Sequence, residues 1–566
     1  MTIYVGPHKS LISGYGDTLA DTLCAMRKGE TALRPATWDD GTTFYVQTIK
    51  GHDTPPPHLS RLESLGAAVL TDCAKGNGWK PDATRRTGVI FSTTKGNIRE
   101  ATTDEPQEAS RVFIYEMARR ITHEAGIDAE PIVVCNACIS GVAAVIVGSR
   151  LIRSGEYDDI FVVGLDESSR FVTSGFLGFR SVSPHPCVPY DSRRDGLSLG
   201  EAAGCLLLTN DANRDGGTTI EGGTLTNDAN HISGPSRTGE PLAMAMTEAM
   251  SQSLREPSHA AFVNAHGTGT VYNDEMEAKA IDIAGLASAP VNSLKPYLGH
   301  TLGASGLIEL MVCDDELLRG KIFPTLGFES LGVSKELRVS GLAQDAAGDF
   351  CVKTASGFGG CNAAVVMSKA SAAREVATAH EPRLTTLRTV DIASGHVTFD
   401  GLDILGDDVE RDFDTLVRDA YHNLGQPNMK FFKMDDMSKM GYLGAEYLLS
   451  GIDAYDDTRR DMAIILANKS ASLDTDIAYI RQMETGQASP AKFVYTLPNI
   501  VIGEICIRHK IKGESLFVIM PHRDDDSLRH FATKALDLSR AKMMICGWCE
   551  KLGDSYDLHL ELLKTN

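Results

Sequence analysis

At 566 residues the chain exceeds what one hydrophobic core usually holds, so two or more structural units are expected. Apolar residues at 42% and charged residues at 23% are ordinary for a globular protein, and no apolar run reaches the roughly eighteen residues of a transmembrane helix. The net charge of −20 argues against non-specific nucleic-acid binding, so neither nucleic acid nor membrane is an expected partner.

The opening MTIYVGPHKSLISGYG lacks a basic stretch followed by an apolar run and a small-residue cleavage site. It reads as a first strand and loop rather than a signal peptide, which predicts a cytoplasmic protein whose twelve cysteines are mostly reduced. No C-x-x-C pair has a matching second half, and no histidine stands at ligand spacing from Cys546 and Cys549, so no metal site is expected. Gly88–Phe91, Ile132–Val134 and Ile160–Val163 are buried-strand candidates, and residues 141–153 between the last two carry apolar positions at three- and four-residue intervals. Strands alternating with helices predict a layered α/β fold.

Cys138 follows an apolar strand and precedes that helix, in VVCNACISG. A thiol is only a few per cent ionised at neutral pH, and a helix N-terminus offers positive charge and free N–H groups that favour the thiolate. The Cys138 N–H is also placed to stabilise an acyl oxyanion. Read locally, Cys138 is as readily a small core residue, which is how Cys135 is read. The long-range pattern separates the two. Downstream come PYDSRRDGLSLGEAAG (Pro189–Gly204), HGTGT (His266–Thr270), KPYLGHTLGASG (Lys295–Gly306) and SGFGGCN (Ser356–Asn362). Histidines flanked by small, turn-forming residues are placed to face a cleft, and two neutral imidazoles donating N–H could polarise a thioester carbonyl. In the cluster Asp191, Arg193, Arg194 and Asp195, an internal ion-pair network is expected.

These five motifs, in this order over residues 1–370, resemble a β-ketoacyl-acyl-carrier-protein synthase. The resemblance implies a thiolase-like five-layer αβαβα fold of two similar halves. It implies a catalytic set of Cys138, His266, His300 and Lys295, and makes the Phe358 N–H the second oxyanion donor, with the Phe358 ring gating the acyl pocket. Thr268, Thr270, Gly357 and Gly359 are candidates for contact with substrate, and Asp274 and Glu309 for structural acids behind the site. The implied reaction is decarboxylative condensation of an acyl group held on Cys138 with malonyl-acyl-carrier protein. No bound cofactor is expected; the phosphopantetheine arm of the carrier protein brings the substrates. Such carriers are acidic, so a local Lys/Arg patch is required that the overall composition conceals. Enzymes of this family usually pair through the strand near the elbow, which predicts a homodimer or higher homo-oligomer. The family usually has threonine where this chain has Cys361, which is read as a packing residue.

Residues 371–383 are small and polar and read as a linker. Residues 384–566 then echo the first segment: Met462–Ile465 repeats Gly88–Phe91, Lys492–Tyr495 repeats Arg111–Tyr115, Leu516–Met520 stands for Ile132–Val134, and Ile545–Trp548 for Val163–Leu165. The copy lacks counterparts of HGTGT and the Lys–His segment. Its elbow, Met520-Pro521-His522-Arg523-Asp524-Asp525-Asp526, holds carboxylates suited to a helix start and no cysteine. It resembles a chain-length-factor-like half domain without catalytic residues, expected to pack on the catalytic unit or to build a larger assembly. Competing readings are a non-catalytic scaffold for the whole chain, which the intact motifs oppose, a thiolase, which needs a second cysteine where His300 stands, and a primer-making decarboxylase, which would lack Cys138. Fatty acyl, polyene and aryl-primed chains all fit the motifs.

Overall fold

A computed structural model describes residues 1–82, 84–102, 109–376, 382–406, 411–425, 428–452 and 459–565. Of the expected linker, residues 377–381 lie outside them, and the described part begins as a short 3-10 turn at Ala370–Ala372.

Two sheets stack within residues 1–370. In the first, Thr87–Ser92 pairs in parallel with Ile132–Val134 on one side and Asp159–Asp166 on the other, and Asp159–Asp166 pairs antiparallel with Ala202–Thr209. In the second, Cys361–Lys369 lies between Thr218–Asn227 and Phe350–Gly357, and Ala260–Asn264 continues in parallel from Phe350–Gly357 to Pro290–Asn292. Ile3–Val5 pairs with both Ala202–Thr209 and Thr218–Asn227 and joins the sheets.

Helices Ser140–Arg153 and Ser305–Arg319 fill the space between the sheets and touch each other. Ser140–Arg153 has nearly every residue buried, which is why its sequence is apolar all round instead of on one stripe. Outside the first sheet lie Arg61–Gly76, started by a capping box between Ser60 and Glu63, and Ile114–Glu124. Outside the second lie Glu240–Gln252 and Val271–Ile283. The result is five layers, αβαβα, as the motifs imply.

Residues 384–565 repeat the first sheet. Met462–Asn468 pairs in parallel with Ser515–Ile519 and Met543–Leu552, and Met543–Leu552 pairs antiparallel with Ser555–Thr565. Leu384–Ala393, a strand the sequence reading did not find, adds to Ser555–Thr565. Helices Asp436–Leu448 and Ile500–His509 cover the outer face, and Asp525–Ala535 packs against Ser140–Arg153 in the inner layer. Asp524 caps that last helix by accepting from the Ser527 N–H.

The two copies meet edge to edge. Val134 and Val133 pair antiparallel with Val518 and Ile519, and the Cys135 N–H donates to Phe517 O at 3.1 Å. One sheet therefore runs through both halves, with a single hydrophobic core beneath it. Buried ion pairs fix the junction: Lys95 with Asp476 at 2.8 Å and Arg150 with Glu514 at 2.7 Å.

Candidate active site

Both glycine-flanked elbows are brought together by the inner helices. Cys138 sits in a 3-10 turn, Ala137–Ile139, that runs into Ser140–Arg153. His300 stands just before the turn Leu302–Ala304 that runs into Ser305–Arg319. Ala137 and Leu302 take positive φ, +49° and +52°, a strained setting held by the surrounding packing. The helices touch where each has glycine: a β-carbon on Gly141 would lie 2.6 Å from Leu307 N, and one on Gly306 2.5 Å from Val142 Cγ2. No other residue allows that approach, and the approach is what makes the two elbows neighbours.

Cys138, His266 and His300 line one cavity of about 260 Å³, together with Thr268, Thr270 and Phe358. The imidazoles stand edge to face with ring centroids 5.0 Å apart. The Leu302 N–H donates to His300 Nδ1 at 3.2 Å, so Nδ1 is the bare nitrogen and Nε2 carries the proton. His266 Nδ1 is buried with no partner among the described residues. Burial, with Lys295 and Lys353 nearby, holds both imidazoles well below the usual histidine range. Both are neutral at physiological pH.

Behind them lies a buried charge cluster. Glu309 bridges Lys295 at 2.6 Å and Lys353 at 2.7 Å, all three almost without exposure. Lys353 also donates to Thr354 O at 2.7 Å. One carboxylate between two ammonium groups leaves this trio net positive. Sequence reasoning missed Lys353, and the available signal was a lone lysine inside the wholly buried strand Phe350–Gly357. It also missed Glu277, which accepts from the His266 and Gly267 N–H groups at 2.7 and 2.8 Å and from Thr354 Oγ1. Asp274 accepts from the Thr268 and Gly269 N–H groups, so the HGTGT loop rests on two carboxylates of the following helix.

The Cys138 thiol itself departs from expectation. Burial pushes it up to about 12, opposed by Lys295, so the resting group is a thiol despite the adjacent helix N-terminus. Desolvation of a fully buried sulfur outweighs a partial charge at one helix end. The strand end at Gly357 comes so near that a β-carbon there would sit 3.0 Å from the Cys138 amide nitrogen. Gly359 does not line the cavity; it packs on Asn499 and Gly503, and Asn499 Nδ2 donates to Phe358 O at 2.8 Å. Cys361 is buried and donates to the Asn136 and Phe358 carbonyls, a packing role. Asp191 accepts from Arg193 and from the Glu329 and Ser330 N–H groups, as an internal network should.

A second, smaller cavity of about 20 Å³ opens on the other side of Cys138. Phe176 and Phe358, stacked at 6.0 Å, line both spaces and divide them. Its far wall is Phe493, Thr496 and Leu497, all from the C-terminal half. The Phe493 ring fits a notch at Gly175, where a β-carbon would come within 2.2 Å of it. Lys95, donating to Ser472 and Asp476 across the junction, closes the floor. Nothing in the motif order announced this contribution.

Comparison with known proteins agrees with the geometry. Residues 39–213 match the model of the beta-ketoacyl synthase N-terminal domain, and 218–329 that of its C-terminal domain. The chain is 30% identical over 346 residues to the tetracenomycin polyketide synthase ketoacyl synthase alpha subunit of Streptomyces glaucescens, covering 55% of this chain and 81% of that one. It is 32% identical over 248 residues to 3-oxoacyl-[acyl-carrier-protein] synthase 2 of Staphylococcus aureus strain COL, covering 41% and 60%. A solved keto synthase–chain length factor superposes with a TM-score of 0.79 at 16% identity, over 100% of this chain and 78% of the other.

Proposed function

Since the chain belongs to the β-ketoacyl synthase family, we propose that Cys138, His266 and His300 carry its condensation, with Lys295 in support. It is an acyltransferase-type condensing enzyme. The observation that carries the residue assignment is the convergence of one sulfur and two neutral imidazoles on a single cavity.

An acyl group passes from a carrier thioester to the Cys138 sulfur, the thiol proton leaving with the released carrier thiol. Malonyl thioester then enters the larger cavity. Its carboxylate departs as CO₂, and the electron pair of the broken C–C bond forms an enolate. His300 Nε2–H and His266 hold the enolate oxygen as neutral donors, which stabilise charge that develops only in the transition state. The enolate carbon attacks the acyl carbonyl on Cys138, the oxyanion accepts from the Cys138 and Phe358 N–H groups, and collapse breaks the C–S bond to give the β-ketoacyl product and a Cys138 thiolate, which takes a proton from water to restore the thiol. Burial, with Lys295 and Lys353 neutralised only in part by Glu309, keeps the imidazoles unprotonated. Thr268 and Thr270 line the route of the arm.

In this reading residues 1–370 form the catalytic unit and 384–566 a non-catalytic half domain that walls the acyl cavity. The acyl and malonyl groups arrive on the phosphopantetheine of an acyl carrier protein, and the work takes place in the cytoplasm, consistent with twelve unpaired cysteines and with no helix among the described residues long and apolar enough to cross a membrane. The edge through which a second copy would pair is occupied by the chain's own Ser515–Ile519, so any homo-oligomer uses another face. Intact-protein mass spectrometry tests the assignment. Incubation with an acyl thioester should add one acyl mass to the wild type and none to Cys138→Ala. Cys138→Ala should still release CO₂ from malonyl thioester, because decarboxylation needs the imidazoles and not the sulfur, whereas His300→Ala should not. Acylation of Cys138→Ala would overturn the assignment.

A further inference from the structure

Asp166 ends the central strand Asp159–Asp166, is buried, and forms no ion pair among the described residues. A carboxylate in that setting is costly unless hydrogen bonds satisfy it. Its oxygens accept from Thr93 Oγ1 at 2.7 Å, Thr94 N at 2.9 Å, Thr94 Oγ1 at 3.0 Å and Lys95 N at 3.4 Å, all in the loop that leaves the strand Thr87–Ser92. From the opposite side Oδ2 accepts from Gly303 N at 2.7 Å, in the turn Leu302–Ala304. The contact is tight: a β-carbon on Gly303 would lie 2.8 Å from Asp166 Oδ2 and 2.8 Å from Thr93 Cα. Gly303 follows Leu302, whose positive φ of +52° needs support from its surroundings and whose N–H donates to His300 Nδ1. The loop on the other side is anchored, because Lys95 Nζ donates to Ser472 and Asp476 in the C-terminal half. Thr94, Lys95 and Leu302 all border the smaller cavity beside Cys138.

We propose that Asp166 is a positioning residue for the decarboxylation step: it clamps the His300 turn onto a loop that the C-terminal half anchors, and so sets where the His300 Nε2–H points. The proposal rests on the reading of His300 as a donor to the enolate and names the group that places it. The backbone groups around the carboxylate are all N–H donors, so both of its oxygens must accept. An asparagine there turns one oxygen into an NH₂ group, which then faces an N–H at Gly303 or at Lys95. The turn shifts in response, and a donor stabilises the enolate only when it stands within hydrogen-bond reach of the developing charge. Acylation of Cys138 draws on the sulfur and two backbone N–H groups and makes no use of His300. The two steps therefore respond differently to loss of the clamp.

The test uses the full chain with a malonyl and an acyl thioester on the same small pantetheine-type arm. Asp166→Asn, which keeps the volume, and Gly303→Ala, which keeps the carboxylate, disturb the clamp from opposite sides, so the effect must appear in whichever of them folds. Each should lower kcat for CO₂ release from the malonyl thioester by at least about tenfold with KM unchanged, as for a donor misplaced in the transition state. Each should acylate Cys138 no more slowly than the wild type. The control Asp159→Asn removes a buried carboxylate at the other end of the same strand, where it pairs with Arg85 and Arg214. It should lower the thermal midpoint and keep the ratio of the two steps. Equal losses in both steps overturn the proposal, since Asp166 then serves folding alone. Unchanged CO₂ release in a folded variant, or the same selective loss in Asp159→Asn, overturns it too. CO₂ release that persists in His300→Ala overturns instead the reading on which the proposal rests.

Discussion

At the scale of single residues, the site separates groups that must stay uncharged from groups that must stay charged, and burial is the common cause. The two imidazoles lie well below their ordinary value of 6.5 because desolvation and two neighbouring ammonium groups disfavour a third positive charge. Glu309 keeps its charge at nearly full burial because Lys295 and Lys353 both face it. A histidine whose folded pKa is depressed binds its proton less readily folded than unfolded. The unfolded chain therefore takes up more protons below about pH 6.5, and stability present above that pH is lost as pH falls through it. The condensation rate should accordingly stay flat from about pH 8 down through about pH 6.5, where a free imidazole would titrate, while the thermal midpoint begins to fall below about pH 6.5. A pH–rate profile with a histidine inflection near 7 would show that the imidazoles are solvated, contrary to the packing described. The motifs made Cys138, His266 and His300 legible because nucleophile and donors sit in short glycine-rich strings. Lys353 and Glu277 were not legible, because one lies inside a strand and the other mid-helix, and their role exists only through what the fold sets beside them.

At the scale of elements, the decisive contact is between helices whose sequences never mention each other. Ser140–Arg153 and Ser305–Arg319 meet at Gly141 and Gly306, and this crossing joins the cysteine elbow to the histidine elbow. The short helix Pro490–Val494 has a comparable consequence. It presses Phe493 into the Gly175 notch and leaves only about 20 Å³ beyond Cys138. That ring is buried, so Phe493→Ala should cost about 3–5 kcal/mol of stability in denaturant unfolding. The variant should also shift the primers accepted onto Cys138 toward longer chains, read by mass spectrometry over a panel of acyl lengths. An unchanged length profile would mean that the acyl chain lies elsewhere. The repeat was legible at this level because strand order and spacing recur in the chain. The direction of Phe493 was not, since an apolar residue in a short helix carries no mark of which cavity it closes.

At the scale of the whole molecule, the two halves of the chain pair edge to edge. The strands Ile132–Val134 and Ser515–Ile519 complete one another's hydrogen bonds, and buried pairs such as Arg150 with Glu514 lock the register. An unpaired strand over an apolar core is a site for aggregation, so the two halves depend on each other. Removing residues 384–566 should expose that edge, open the smaller cavity beside Cys138 and remove the Asn499 brace on the Phe358 turn. The shortened chain should aggregate on size-exclusion chromatography and fail to acylate Cys138. A monodisperse, acylating product would show that the second copy has no structural role. The sequence reading expects a partial copy without counterparts of the HGTGT and Lys–His motifs, and strands of residues 384–565 pair in the same order as the first sheet. It left open whether the copy packs inward or recruits further subunits, because an apolar strand is compatible with either until its partner is seen.

Taken alone, the amino-acid order determined the layered architecture and pointed to the three side chains expected to meet, since each is written in local periodicity or in short motifs around glycine. Tertiary structure decided the protonation of those side chains, the wall of the smaller cavity beside Cys138 and the joining of the halves. These depend on desolvation and on contacts between residues hundreds of positions apart, such as Lys95 with Asp476, and no local pattern encodes such distances.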